Sequence, residues 1–181
     1  MFVALDLPEP DRQRLARWRD GLVEGRTDLR PVPVGNLHVT LAFLGWQDEA
    51  AAERIAARAF EGSDGPAPVL VAGEVRSVPP SAPRLFALDL EDDGGRAARL
   101  QAAVSAALES AGVYRPERRP FWPHLTLARV KRGERRVPGL PPGPSPPDGP
   151  ILAAELTLYS STLRPQGALY APLARRVLGG R

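Results

Sequence analysis

One pattern occurs twice in this chain, and the repetition limits what the chain can fold into. Residues 2–7 read FVALDL and residues 85–90 read LFALDL. Residues 38–45 read HVTLAFLG and residues 124–130 read HLTLARV. The first pair starts 83 residues apart and the second 86. Each FVALDL-like stretch has the length and apolar content of a strand, and each is followed by helical spacing and then by the H-x-T stretch. The order strand, helix, H-x-T strand thus occurs twice, as an internal duplication does. Two copies of one unit commonly pack about a pseudo-twofold axis, with equivalent residues facing each other across it. The expected fold is α+β: two pseudo-symmetric lobes with antiparallel sheets and outer helices around a central cleft. We expect a single bilobal domain over 1–181, with an internal repeat over approximately 1–78 and 84–178.

The two H-x-T stretches hold the only two histidines, His38 and His124. In a strand, residues i and i+2 share a face. His38 and Thr40 therefore point together, as do His124 and Thr126. Val39, Leu41 and Phe43 are expected on the opposite, buried face, with Leu125 and Leu127. An imidazole moves a proton near neutral pH, and a hydroxyl can hold an anionic oxygen. Two such strands facing each other make a candidate site.

The remaining elements follow from periodicity. Pro8 and Pro10 open a helix, where proline fits the first turn. Leu15, Trp18 and Leu22 form its apolar stripe, with Arg12, Arg19 and Asp20 elsewhere, and Gly25 ends it. A second, alanine-rich helix is expected at about 48–60, anchored by Ile55 and Phe60, and a strand over 68–77. Asp92 to Gly95 can cap a third helix that buries Leu100, Val104, Ala107, Leu108 and Ala111. Residues 131–150 carry seven prolines and read as an extended loop. The last strands are expected at 151–159 and 168–178, joined by a turn through Pro165-Gln166-Gly167.

Composition narrows the chemistry. The absence of cysteine excludes disulfides and thiolate metal sites. Two histidines without an H-E-x-x-H spacing leave zinc dependent on carboxylates. There is no phosphate-binding G-x-x-x-x-G-K-[ST] loop and no G-x-S-x-G elbow. The start of the chain lacks the features of a signal peptide, and no apolar run approaches a membrane span, so a cytoplasmic protein without membrane contact is expected. A metal-free imidazole pair suits general acid and base work on a phosphodiester, with the threonines on the phosphate oxygens.

The chain resembles the two-histidine phosphoesterases, and within them the bacterial and archaeal RNA 2′,3′-cyclic phosphodiesterases, also called 2′-5′ RNA ligases. FVALDLP, HVTLAFLG, RPFWPHLTLARV and LTLYSSTLRPQGALYAPL carry the likeness. It implies a two-lobed fold with the histidines in the cleft. It also implies hydrolysis of a 2′,3′-cyclic phosphate RNA end to a 2′-phosphate, without metal or cofactor, with reversible 2′-5′ joining of RNA ends. We expect a monomer. Carried over by residue, His38 is the general acid and His124 the general base, and Thr40 and Thr126 bind phosphate. Arg129 matches the arginine ending the family's H-x-T-L-x-R motif. Strict alternation puts Arg129 on the face away from His124; a bulge near Ala128 would bring it round.

Further candidates flank these. Trp122 and Phe43, with Phe121 and Tyr159, could stack a base. Arg115, Arg118, Arg119, Lys131, Arg132, Arg135 and Arg136 could track an RNA backbone. Two rival readings stand beside the RNA enzyme. One is a phosphodiesterase on small cyclic phosphates such as a nucleotide or ADP-ribose derivative. The other is a non-catalytic RNA- or nucleotide-binding module.

Overall fold

A computed structural model describes residues 1–134, 137–140, 143–164 and 167–179. The strands are β1 (Phe2–Asp6), β2 (Leu29–Pro31), β3 (His38–Phe43), β4 (Val69–Val78), β5 (Leu85–Asp93), β6 (His124–Val130), β7 (Ile151–Leu152), β8 (Glu155–Arg164) and β9 (Gly167–Val177). The helices are α1 (Glu9–Leu22), α2 (Ala52–Ala59) and α3 (Arg96–Ser110). Pro10 sits in the first turn of α1 with Glu9 and Asp11, whose charges suit a helix N-terminus. Asp92 caps α3: its two carboxylate oxygens accept from the backbone N–H groups of Ala97 and Ala98 at 2.9 and 2.8 Å. The second helix is shorter than its expected span, because residues 49–51 form a 3-10 turn behind Asp48.

All strands join one curled antiparallel sheet, in the order β7-β4-β5-β6-β3-β1-β8-β9, with β2 on the far part of β6. Outward from the centre, β6-β5-β4 in one lobe matches β3-β1-β8 in the other. β4 follows the first H-x-T strand in sequence but completes the second lobe, and β8 returns to complete the first. The lobes exchange a strand, so neither has its full sheet from one half of the chain. They meet at a single ladder pair, Val39 with Leu125.

The registers of the two lobes match position by position. Asp6 lies opposite His38, Leu5 opposite Val39, and Ala4 opposite Thr40. Asp89 lies opposite His124, Leu88 opposite Leu125, and Ala87 opposite Thr126. Both ladders then slip by one residue, between Val3 and Ala4 and between Phe86 and Ala87. Leu41 and Leu127 are the extra residues, each a β-bulge. Each bulged carbonyl finds another donor: Leu41 accepts from Gln101 Nε2 at 3.3 Å, and Leu127 from the Val32 N–H at 2.9 Å.

The core lies between the sheet and the helices. Leu15, Ile55, Leu70, Phe86, Leu88, Leu108, Leu125 and Leu127 are fully buried there. Two expectations about burial on the helices fail. Arg19, placed off the apolar stripe of α1, is only 5 % exposed. Its guanidinium donates to the Val32 carbonyl and to Asp20, so the charge is buried with partners. Ala111, placed on the buried face of α3, is exposed, because the helix stops at Ser110. The proline-rich stretch has no regular structure in its described residues and lies along α1. Trp18 Nε1 donates to the Pro144 carbonyl at 3.0 Å, and Arg26 donates to the carbonyls of Pro138 and Gly139. Arg135 and Arg136, and the expected turn residues Pro165 and Gln166, lie outside the described residues. Among the described residues, no helix is long and apolar enough to cross a membrane.

Candidate active site

The pair Val39–Leu125 fixes the site. In antiparallel register, one step either side of that pair sets His38 across from Thr126 and Thr40 across from His124. Directly opposite residues point to the same face. Val39 and Leu125 are buried, so the four polar groups share the other face. The two histidines then stand on a diagonal, roughly 7–8 Å apart in a regular ladder. Pairing ends after this one step, so the strands diverge and a cleft opens.

Each imidazole is oriented by its own loop. His38 Nδ1 lies 2.8 Å from the Asn36 carbonyl, and His124 Nδ1 lies 2.8 Å from the Trp122 carbonyl. A carbonyl only accepts, so Nδ1 carries the hydrogen in both rings. Nε2 is left as the proton-transferring nitrogen. In His38 it faces Thr40 Oγ1 at 3.1 Å.

Each ring also rests on an aromatic. Trp122 stacks on His124 with centroids 4.1 Å apart, and Phe2 stacks on His38 at 4.9 Å. Tyr170 meets His38 edge-on at 5.5 Å. Behind each histidine sits its cross-strand aspartate. Asp89 accepts from Trp122 Nε1 at 2.8 Å and pairs with Arg76. Asp6, 5 % exposed, accepts from the hydroxyls of Thr157 and Tyr159, each at 2.7 Å. Burial pushes the His38 pKa down to about 4, with the charges of Arg129 and His124 adding to the fall; the Asn36 carbonyl and the Asp6 carboxylate oppose it.

The sequence-based candidates divide on this geometry. The bulges shift alternation by one residue, so Arg129 joins the face of His124 and Thr126. The same slip moves Phe43 off its expected core position: it is 61 % exposed, on the His38 face. Phe43 lines a cavity of about 540 Å³ with Thr40, Tyr114, Phe121, Trp122 and His124. Trp122 spends one ring face on His124. Tyr159, only 7 % exposed and bonded to Asp6, belongs to the support of the site. Arg119 lines the aromatic cavity; Arg115, Arg118, Lys131 and Arg132 are exposed. Sequence reasoning missed Asp6 and Asp89, although both repeated stretches carry an aspartate at the same place. Among the described residues, no cluster of three or more His, Asp or Glu could hold a metal.

Comparison with known proteins follows the same lines. The family model described as LigT-like phosphoesterase matches residues 5–84 and 88–170. The Escherichia coli K12 protein named RNA 2′,3′-cyclic phosphodiesterase is 31 % identical over 98 % of this chain and 96 % of its own. An Aeropyrum pernix protein of the same name is 34 % identical over 70 % of this chain and 71 % of its own. A crystal structure from Thermus thermophilus superposes with TM-score 0.81 at 29 % identity, covering 99 % of this chain and 97 % of that one. The E. coli LigT structure with 3′-AMP gives 0.75 at 28 %, covering 98 % and 96 %.

Proposed function

The chain belongs to the LigT-like phosphoesterases, and from that premise we propose how its paired histidines work. The protein is an RNA 2′,3′-cyclic phosphodiesterase, the name shared by its curated relatives in four organisms. The reading of the site rests on one observation. Two matched H-x-T strands meet at Val39–Leu125, and each Nδ1 is held by its own loop's carbonyl, which leaves both Nε2 atoms for proton transfer.

In this reading the cyclic phosphate lies between the rings. Thr40 and Thr126 donate to its non-bridging oxygens, and Arg129 adds positive charge from the same face. His124 Nε2 takes a proton from water as the water oxygen bonds to phosphorus. The P–O3′ bond breaks, and His38 Nε2 gives its proton to O3′. The product is a 2′-phosphate. With a 5′-hydroxyl RNA end in place of water as the attacking group, the same transfers join a 2′-5′ linkage, and the reverse of that step cleaves it. Burial keeps His38 neutral in the free enzyme and makes its protonated form a strong acid. The phosphate's negative charge favours the arrival of that proton.

The pH profile carries this burial. The active form has one proton shared between the two rings. kcat/KM, which reports the free enzyme, is therefore expected to be bell-shaped with one limb near pH 4. A profile whose limbs all lie at or above about 6.5, the ordinary histidine value, would remove His38 from the pair.

The donor set, two histidines and no cysteine, supports catalysis without metal, and the reading includes a monomer acting alone. The direct test is EDTA-treated protein, sized by light scattering, with an RNA oligonucleotide ending in a 2′,3′-cyclic phosphate. Conversion to the 2′-phosphate by a monomer is expected. Binding without conversion would favour the non-catalytic module instead.

A further inference from the structure

Two cavities flank the histidines, and they differ in charge. The aromatic one is lined by Glu109 and Glu117 as well as Arg119. The other, of about 460 Å³, is lined by Arg30, Arg129 and Arg164, with no acidic residue among the described residues of its wall. It begins at the catalytic face, because Tyr170 lines it and also touches His38.

The arginines are arranged at a cost. Arg30 and Arg129 are direct partners across the β2–β6 ladder. Like charges placed opposite each other destabilise a sheet pair. Among the described residues Arg30, Arg129 and Arg164 have no carboxylate partner, as is true of nine arginines elsewhere, but these three converge on one cavity wall. The Arg30 guanidinium lies against Gly167 at the start of β9, its Cζ 3.6 Å from where a Cβ would sit. An unpaired cationic cluster beside a phosphodiester site is matched by more phosphate.

We propose that this cavity carries the RNA backbone 5′ of the cyclic end, with Arg30 and Arg164 holding upstream phosphates; the inference rests on the phosphodiesterase reading above. The opposite cavity, with aromatic rings and two carboxylates in its wall, receives the terminal base and disfavours phosphates. The strand therefore has one direction through the cleft. A chain is preferred to a 2′,3′-cyclic mononucleotide because only the chain reaches these arginines.

The test measures binding of a short RNA ending in a 3′-phosphate at several salt concentrations. Each phosphate contact on a single strand contributes about 0.7 to the slope of log K against log salt. The Arg30→Gln/Arg164→Gln variant is expected to lose about 1.4 from that slope. It should also bind at least about tenfold more weakly at low salt. Arg58→Gln, which removes the exposed ion pair of Arg58 with Glu61, serves as the control and should leave the slope unchanged. An unchanged slope in the double variant overturns the proposal. Turnover is read separately, as the ratio of kcat/KM on the cyclic-ended oligonucleotide to that on the mononucleotide. That ratio should fall in the double variant. Absence of turnover in the unmodified protein would remove the enzymatic reading while leaving the salt slope to decide the track.

Discussion

Replacing His124 by alanine is expected to lower kcat on a cyclic-ended oligonucleotide by about 10³-fold, within the range for loss of a positioned general base. His38→Ala should cost a similar factor, because the two proton transfers belong to one displacement. Binding should be nearly kept in both variants, since the threonines and Arg129 remain. The double variant should be little worse than either single one. Residues that act as a unit do not multiply their losses. A double variant about 10⁶-fold down would instead mean that the rings contribute independently to the transition state rather than as a unit. Full activity in either single variant would show that the chemistry lies elsewhere. The roles can also be separated. A substrate whose 3′ oxygen is replaced by sulfur needs little protonation of its leaving group. It should restore much of the activity of His38→Ala and little of that of His124→Ala. The reverse pattern would exchange acid and base.

The strand–helix–strand order and the two H-x-T motifs were legible because they are local and repeated. Spacing alone placed His38, Thr40, His124 and Thr126. The face of Arg129 and Phe43 was not legible, because it depends on one extra residue, Leu41 or Leu127, in a ladder whose partner strand lies far away in sequence. A bulge leaves no mark in an apolar run, yet it turns every later side chain over. The strand exchange was hidden for a related reason. Nothing in β4 or β8 states which lobe it completes. Arg30 carries no signal in the sequence, since a three-residue strand such as β2 has no periodicity to read. The role of Asp6 is hidden in the sequence because its partners, Thr157 and Tyr159, come from the other end of the chain.

Asp6 carries the second large effect, this time on stability. One of its oxygens accepts both hydroxyls, in a site where Thr157 is fully buried and Tyr159 nearly so. Asp6→Ala leaves both donors without an acceptor. At about 1–3 kcal/mol for each buried unsatisfied group, the expected loss is about 4 kcal/mol. In a domain of this size that lowers Tm by roughly 10 °C. Asp6→Asn is different, because its amide oxygen can accept the same two bonds and only the charge goes. It should melt close to the unmodified protein. Two titrations would then move. Burial, and next the bond to Asp6, raise the Tyr159 phenol above its ordinary value. Without the carboxylate the phenolate forms more easily, so the ultraviolet titration of Tyr159 should shift to lower pH while staying above the value for an exposed tyrosine. Asp6 also opposes the burial that lowers His38. Removing its charge should move the limb of kcat/KM near pH 4 further down. A limb that stays in place while the phenol shifts would mean that the Asp6 charge does not reach His38. The aspartate would then support only the wall behind the ring.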